Sequence, residues 1–241
     1  MNIYIYNNYD EVSINAAKQI INLVKSKPNC TLGLATGSSV IGIYEQIAKD
    51  FEKNKTSYKA VTTFNLDEYY GLPKEHSQSY FTFMCKHLFK HIDIDLNNVH
   101  IPCGNAKDTT IECNLYNHLL QESKIDLQLL GIGTDGHIGF NEPGTDFNLQ
   151  THCVNLLNIT RQDNARFFNS INEVPTQAIT VGIKNILSAK KIILVAMGNS
   201  KAAAVKQMIE GKVTTDCPAS ALQTHPNVYI YLDKAAAKLL K

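Results

Sequence analysis

Short, continuously apolar segments alternate with amphipathic runs at helical spacing along this 241-residue chain, and that alternation narrows its possible folds more than any other feature. Val12, Ala16, Ile20, Ile21 and Val24 recur at helical period after Asp10, which reads as an N-cap, and the run stops before Pro28. An apolar segment over 31–35 then breaks at Thr36-Gly37-Ser38-Ser39, and Val40, Ile43, Tyr44, Ile47, Ala48 and Phe51 resume the helical period. By the same reading, strands are predicted over 60–66, 125–132, 177–181, 191–197 and 227–232. Helices are predicted over 79–91, 109–124 and 201–210, with a short closing helix over 234–240. Strands that are apolar at successive positions need cover on both faces. The expected fold is therefore α/β: one domain over 1–241, built as a doubly wound, mostly parallel, Rossmann-like sheet with helices on both faces.

Charge excludes several partners. Twenty-three Lys plus Arg against 22 Asp plus Glu leave a formal charge of +1, too little to gather nucleic acid or an anionic membrane surface. No apolar run approaches the ~20 residues of a membrane span. The polar, Tyr-rich start, Met1 to Asp10, is not a signal peptide, so a cytoplasmic protein is expected. The six cysteines (Cys30, Cys85, Cys103, Cys113, Cys153, Cys217) lie far apart with no C-x-x-C pair, and are read as free buried thiols.

In open parallel sheets ligands bind beyond the carboxyl ends of the strands, and three strand ends carry chemistry. At Thr36, Gly37, Ser38 and Ser39, backbone N–H groups opening a helix suit a phosphate, although a plain tight turn capped by Ser38 or Ser39 fits equally well. Asp67 and Glu68 follow an apolar strand directly. A carboxylate held there either serves as a general base or caps a turn. Gly131, Gly133 and Gly136 satisfy G-x-G-x-x-G, but Gly139, Asn141, Pro143 and Gly144 forbid the helix that a dinucleotide site requires. In that loop Asp135, His137 and Glu142 have the composition of a histidine oriented by carboxylates for proton transfer. Arg166 and Lys201 are the cations best placed to complete an anion site. His87 and His91, four residues apart, lack the H-E-x-x-H pattern, so no metal is expected. The polar stretch 162–175 suits a mobile flap.

The blocks Leu-Gly-Leu-Ala-Thr-Gly-Ser-Ser, Phe-Asn-Leu-Asp-Glu-Tyr-Tyr-Gly-Leu-Pro, Gly-Ile-Gly-Thr-Asp-Gly-His-Ile-Gly-Phe-Asn-Glu-Pro-Gly, Arg-Phe-Phe and Ala-Ile-Thr-Val-Gly-Ile resemble, in order, the glucosamine-6-phosphate deaminase (glucosamine-6-phosphate isomerase) family. The likeness runs from about Leu32 to Tyr231. It implies conversion of glucosamine 6-phosphate and water to fructose 6-phosphate and ammonia, without a metal or organic cofactor. By the same resemblance, Asp67 is the base between C2 and C1, and His137 assists ring opening. Asp135 and Glu142 orient His137; Thr36, Gly37, Ser38, Ser39, Arg166 and Lys201 hold the phosphate. A lid is implied over 156–177. The family's allosteric hexamers bind N-acetylglucosamine 6-phosphate through basic residues shortly after the Asn-Glu-Pro block, where His152 and Val154 stand here. A non-allosteric enzyme, monomer or homo-oligomer, is expected. Galactosamine-6-phosphate isomerase/deaminase, 6-phosphogluconolactonase and a non-catalytic sugar-phosphate sensor are the alternatives, in that order.

Overall fold

A computed structural model describes residues 1–241, apart from the side chain of Asp163. In chain order the elements are β1 (Asn2–Tyr6), α1 (Tyr9–Ser26), β2 (Thr31–Leu34), α2 (Ser38–Asn54), β3 (Thr62–Asn65), β4 (Asp67–Tyr70), α3 (Tyr80–His87), β5 (Val99–His100), α4 (Thr109–Ser123), β6 (Leu127–Leu130), β7 (His152–Asn155), α5 (Asn158–Ala165), β8 (Gln177–Thr180), α6 (Ile183–Ile186), β9 (Ile192–Ala196), α7 (Ala202–Glu210) and β10 (Val228–Asp233). Seven strands form the central sheet in the order β1-β10-β9-β6-β2-β3-β5, every pairing parallel. All positions of β2, β6 and β9 are buried irrespective of parity, the mark of a sheet covered on both faces. From β2 the chain builds outward through β3 to β5, and from β6 outward through β9 to β10. The connections thus diverge between β2 and β6, and that switch point leaves a crevice beyond the strand ends.

Several expectations are corrected. The α1 N-cap is Asn8, whose side chain accepts the Glu11 N–H, and Asp10 lies in the first helical turn instead. Neither Ser38 nor Ser39 caps α2; Gly37 holds that position at φ +97°, a conformation that favours glycine. The helix expected over 79–91 stops at His87 because Leu88 leaves helical backbone, and a 3₁₀ turn over Phe89–His91 follows. Residues 234–240 form turns rather than a helix, gathered by the Asp233 carboxylate, which accepts N–H groups from both Gly198 and Ala236. The strand at 177–181 exists, as β8, but outside the main sheet. It pairs antiparallel with β4 and β7 in a second, three-stranded sheet. The flap region contains a helix, α5, and a 3₁₀ turn, Ile171–Glu173. All six cysteines are free, yet only Cys30, Cys113 and Cys217 are buried; Cys103 is exposed. Among the described residues no helix is long and apolar enough to cross a membrane.

Candidate active site

A cavity of about 430 Å³ opens at the carboxyl ends of β9, β6, β2 and β3, four strands that are neighbours in that order. Its floor is made of the loops after those strands. Tyr80 of α3, Thr160 and Asn164 of α5 and Arg166 at the α5 C-cap complete the lining.

Two helices present bare N-termini to this space. α2 begins at Gly37, φ +97°, and the turn leading to α7 begins at Gly198, φ +87°. Neither start has a side-chain cap or an acidic residue in the first turn, so backbone N–H groups and the positive dipole end are left for a ligand. Ser38, Ser39, Ser200, Arg166 and Lys201 stand around them. The combination is an anion cradle.

Asp67 and Glu68 lie in β4, opposite Thr180 and Ile179 of β8. Glu68 turns inward and accepts the N–H groups of Tyr80 at 2.9 Å and Phe81 at 3.2 Å, holding the start of α3 in place. Burial pushes its carboxyl up to about 7, against the pull of three backbone hydrogen bonds. Asp67 faces the cavity and is only 6% exposed. Burial pushes it up to about 8, and the neighbouring Glu68 charge adds to the shift. A carboxyl whose proton affinity lies near neutrality is matched to taking a proton from carbon and returning it.

The loop after β6 supplies the second acid–base group. His137 Nδ1 lies 2.7 Å from Asp135 Oδ1, and the His137 backbone N–H donates to the same oxygen at 3.2 Å. Burial by itself would raise Asp135; His137, by hydrogen bond and charge, holds it below the ordinary carboxylate range. The ring fits because residue 133 is glycine: a Cβ there would overlap both His137 ring atoms and Asp135 Oδ1. Gly136, at φ +88°, packs on Cys217 Sγ, and its carbonyl accepts the Ala219 N–H at 2.9 Å, so the 217–219 segment buttresses the loop.

Glu142 is placed differently from its neighbours. Its carboxylate accepts the Leu157 N–H at 3.0 and 3.1 Å and the Thr160 hydroxyl at 2.6 Å, and among the described residues no hydrogen bond or ion pair joins it to His137. Among the described residues no three His, Cys, Asp or Glu side chains are grouped as metal ligands.

Residues 8–230 match the family model described as glucosamine-6-phosphate isomerases/6-phosphogluconolactonase. The chain belongs to this family. A glucosamine-6-phosphate deaminase of Geobacillus sp. (strain WCH70) is 52% identical over 97% of this chain and 93% of its own length. A solved structure of a monomeric glucosamine-6-phosphate deaminase superposes with a TM-score of 0.98 at 45% identity, covering 99% of this chain and 100% of that one. The 6-phosphogluconolactonase of Trypanosoma brucei shares the fold, with a TM-score of 0.81 at 18% identity over 100% of this chain and 98% of its own.

Within this family fold, Thr36, Gly37, Ser38, Ser39, Asp67, His137, Arg166 and Lys201 all line one cavity. Asp135 stands behind His137, and Glu142 behind α5. Gly198-Asn199-Ser200 after β9 repeats the pattern of Gly37-Ser38-Ser39 after β2, and it places Lys201 at a second helix start. Sequence reasoning missed Tyr80 and Phe140, which line the cavity and stack with centroids 6.1 Å apart. Their spacing in the chain carries no signal of that meeting. His152 is tied by Nδ1 to the Gln150 carbonyl, and Val154 packs against the Tyr69–Phe140 cluster.

Proposed function

We propose that this protein converts glucosamine 6-phosphate and water to fructose 6-phosphate and ammonia, with its own side chains and no metal or organic cofactor. One observation carries the reading: a single cavity joins two uncapped helix starts to a buried, cavity-facing carboxyl. An amino-sugar phosphate has the matching polarity, a dianionic phosphate and an ammonium next to the carbon that loses its proton. The family membership and the deaminase relatives support the same substrate.

In this mechanism the phosphate rests on the Gly37–Ser39 and Ser200 N-terminal turns, with Arg166 and Lys201 adding charge-assisted hydrogen bonds. His137, oriented by Asp135, moves a proton at the ring oxygen as the C1–O5 bond opens. Asp67 takes the C2 proton from the open-chain aldehyde, giving an enolamine, and returns a proton to C1. The resulting imine at C2 adds water, and the C–N bond breaks to release ammonia and leave the ketone. Bringing a substrate ammonium beside Asp67 favours its ionised form, so binding itself arms the base. The segment 156–177 acts as the lid, with α5 delivering Arg166 to the phosphate. The protein acts as a non-allosteric enzyme, because Val154 offers no charge for an effector phosphate and His152 is tied by Nδ1 to the Gln150 carbonyl; sigmoidal kinetics relieved by N-acetylglucosamine 6-phosphate would count against this.

The test is release of ammonia and fructose 6-phosphate, in equal amounts and in the presence of EDTA, from glucosamine 6-phosphate. Hydrolysis of 6-phosphogluconolactone instead moves the protein to the lactonase branch, and preference for galactosamine 6-phosphate changes the sugar. The phosphate site has its own check. Arg166→Met is expected to raise KM by about 10- to 100-fold, the worth of one hydrogen bond to a charged group, with kcat much less affected. An unchanged KM removes Arg166 from the phosphate site.

A further inference from the structure

α5 opens without a side-chain cap of its own: its N-cap is Leu157 and its first turn has no acidic residue. The missing acceptor comes from the catalytic loop. Both Glu142 oxygens take the Leu157 N–H, and the Thr160 hydroxyl donates to one of them at 2.6 Å. Glu142 is 4% exposed and Thr160 also 4%, and among the described residues no cation forms an ion pair with this carboxylate. A buried carboxylate without a counter-ion depends on its donors, and here every donor belongs to the start of one helix. At the far end of that helix Arg166 reaches the cavity.

We infer that Thr160 is a positioning residue: with the Leu157 amide it latches α5 onto Glu142, so the loop that carries His137 sets the position from which Arg166 grips the substrate phosphate. The inference rests on the proposed deaminase reading for its kinetic consequence, but the latch itself does not. Glu142 stands at the helix start, and the lid closes against the acid–base loop rather than independently of it. Loss of the hydroxyl leaves the carboxylate one donor short and loosens the first turn of α5.

The experiment compares Thr160→Val, which keeps the shape, with Thr160→Ser, which keeps the hydroxyl. In ligand-free protein, hydrogen exchange at the Leu157 amide is expected to be about 10-fold faster in Thr160→Val, the effect of one lost charge-assisted hydrogen bond. KM for glucosamine 6-phosphate is expected to rise by a similar factor, the pH profile of kcat is expected not to move, and Thr160→Ser is expected to stay close to wild type in all three. Unchanged exchange at Leu157 in Thr160→Val overturns the latch, because a side chain that only touched substrate would leave that amide alone. A shifted pH profile with unchanged KM also overturns it, since Glu142 would then be acting on His137. Wild-type protein that releases no ammonia defeats the function reading instead, and the exchange comparison still decides the latch.

Discussion

Asp67→Asn is expected to lower kcat by about 10²- to 10⁴-fold, the usual worth of a positioned general base, and at the same time to make the protein more stable. The two effects share a cause. Asp67 is buried next to a second buried carboxyl, and its proton affinity is pushed up to about 8 from an ordinary 3.8. Between those values the folded protein holds a proton that the unfolded chain releases, so unfolding is increasingly favoured as pH rises through the window. The asparagine variant has no such group. Its advantage in stability should be smaller near pH 5 and grow toward pH 8, reaching on the order of a few kcal/mol. Thermal melts of both proteins across that range measure it directly, and a difference that stays flat with pH would show that Asp67 is not held protonated by burial. The variant should retain phosphate-dependent binding, because the helix starts that hold the anion are separate from β4.

Gly133→Ala is expected to cost about 10²-fold in kcat, with little change in KM. The added methyl would occupy space that His137 Cε1, His137 Nδ1 and Asp135 Oδ1 now fill, so the ring must rotate or the loop must shift. Misplacing a catalytic group by about 1 Å costs that much. The phosphate cradle lies on other loops, at Gly37 and Gly198, and ground-state binding should survive. Steady-state kinetics separates the two constants, and wild-type kcat in this variant would show that the Asp135–His137 contact is dispensable.

The segments that could be read from the chain are those in which one element decides its own form. β2, β6 and β9 are apolar at nearly every position, so burial on both faces followed from composition, and the breaks after them marked the site. β4 gave no such signal: Asp-Glu-Tyr-Tyr is polar, and it becomes a strand only because β8, more than 100 residues later, supplies its hydrogen-bonding partner. The antiparallel sheet was invisible for that reason. Residue identity likewise showed that Asp135, His137 and Glu142 share a loop, but it could not say which way each carboxylate turns. Asp135 faces the ring, while Glu142 faces a helix start 15 residues away. Nor does sequence display the burial that sets Asp67 apart, since that depends on Glu68, β8 and the loop at Gly139 closing around it.

The central claim is that Asp67 carries a proton between C2 and C1, and the most direct measurement follows deuterium from C2-labelled glucosamine 6-phosphate into fructose 6-phosphate and water by NMR. The account expects wild-type protein to divide the label between one prochiral position of C1 and the solvent, and Asp67→Asn to form neither product at a comparable rate. Complete retention of the label at C1, as in a hydride shift, or turnover by Asp67→Asn at the wild-type rate, would contradict it.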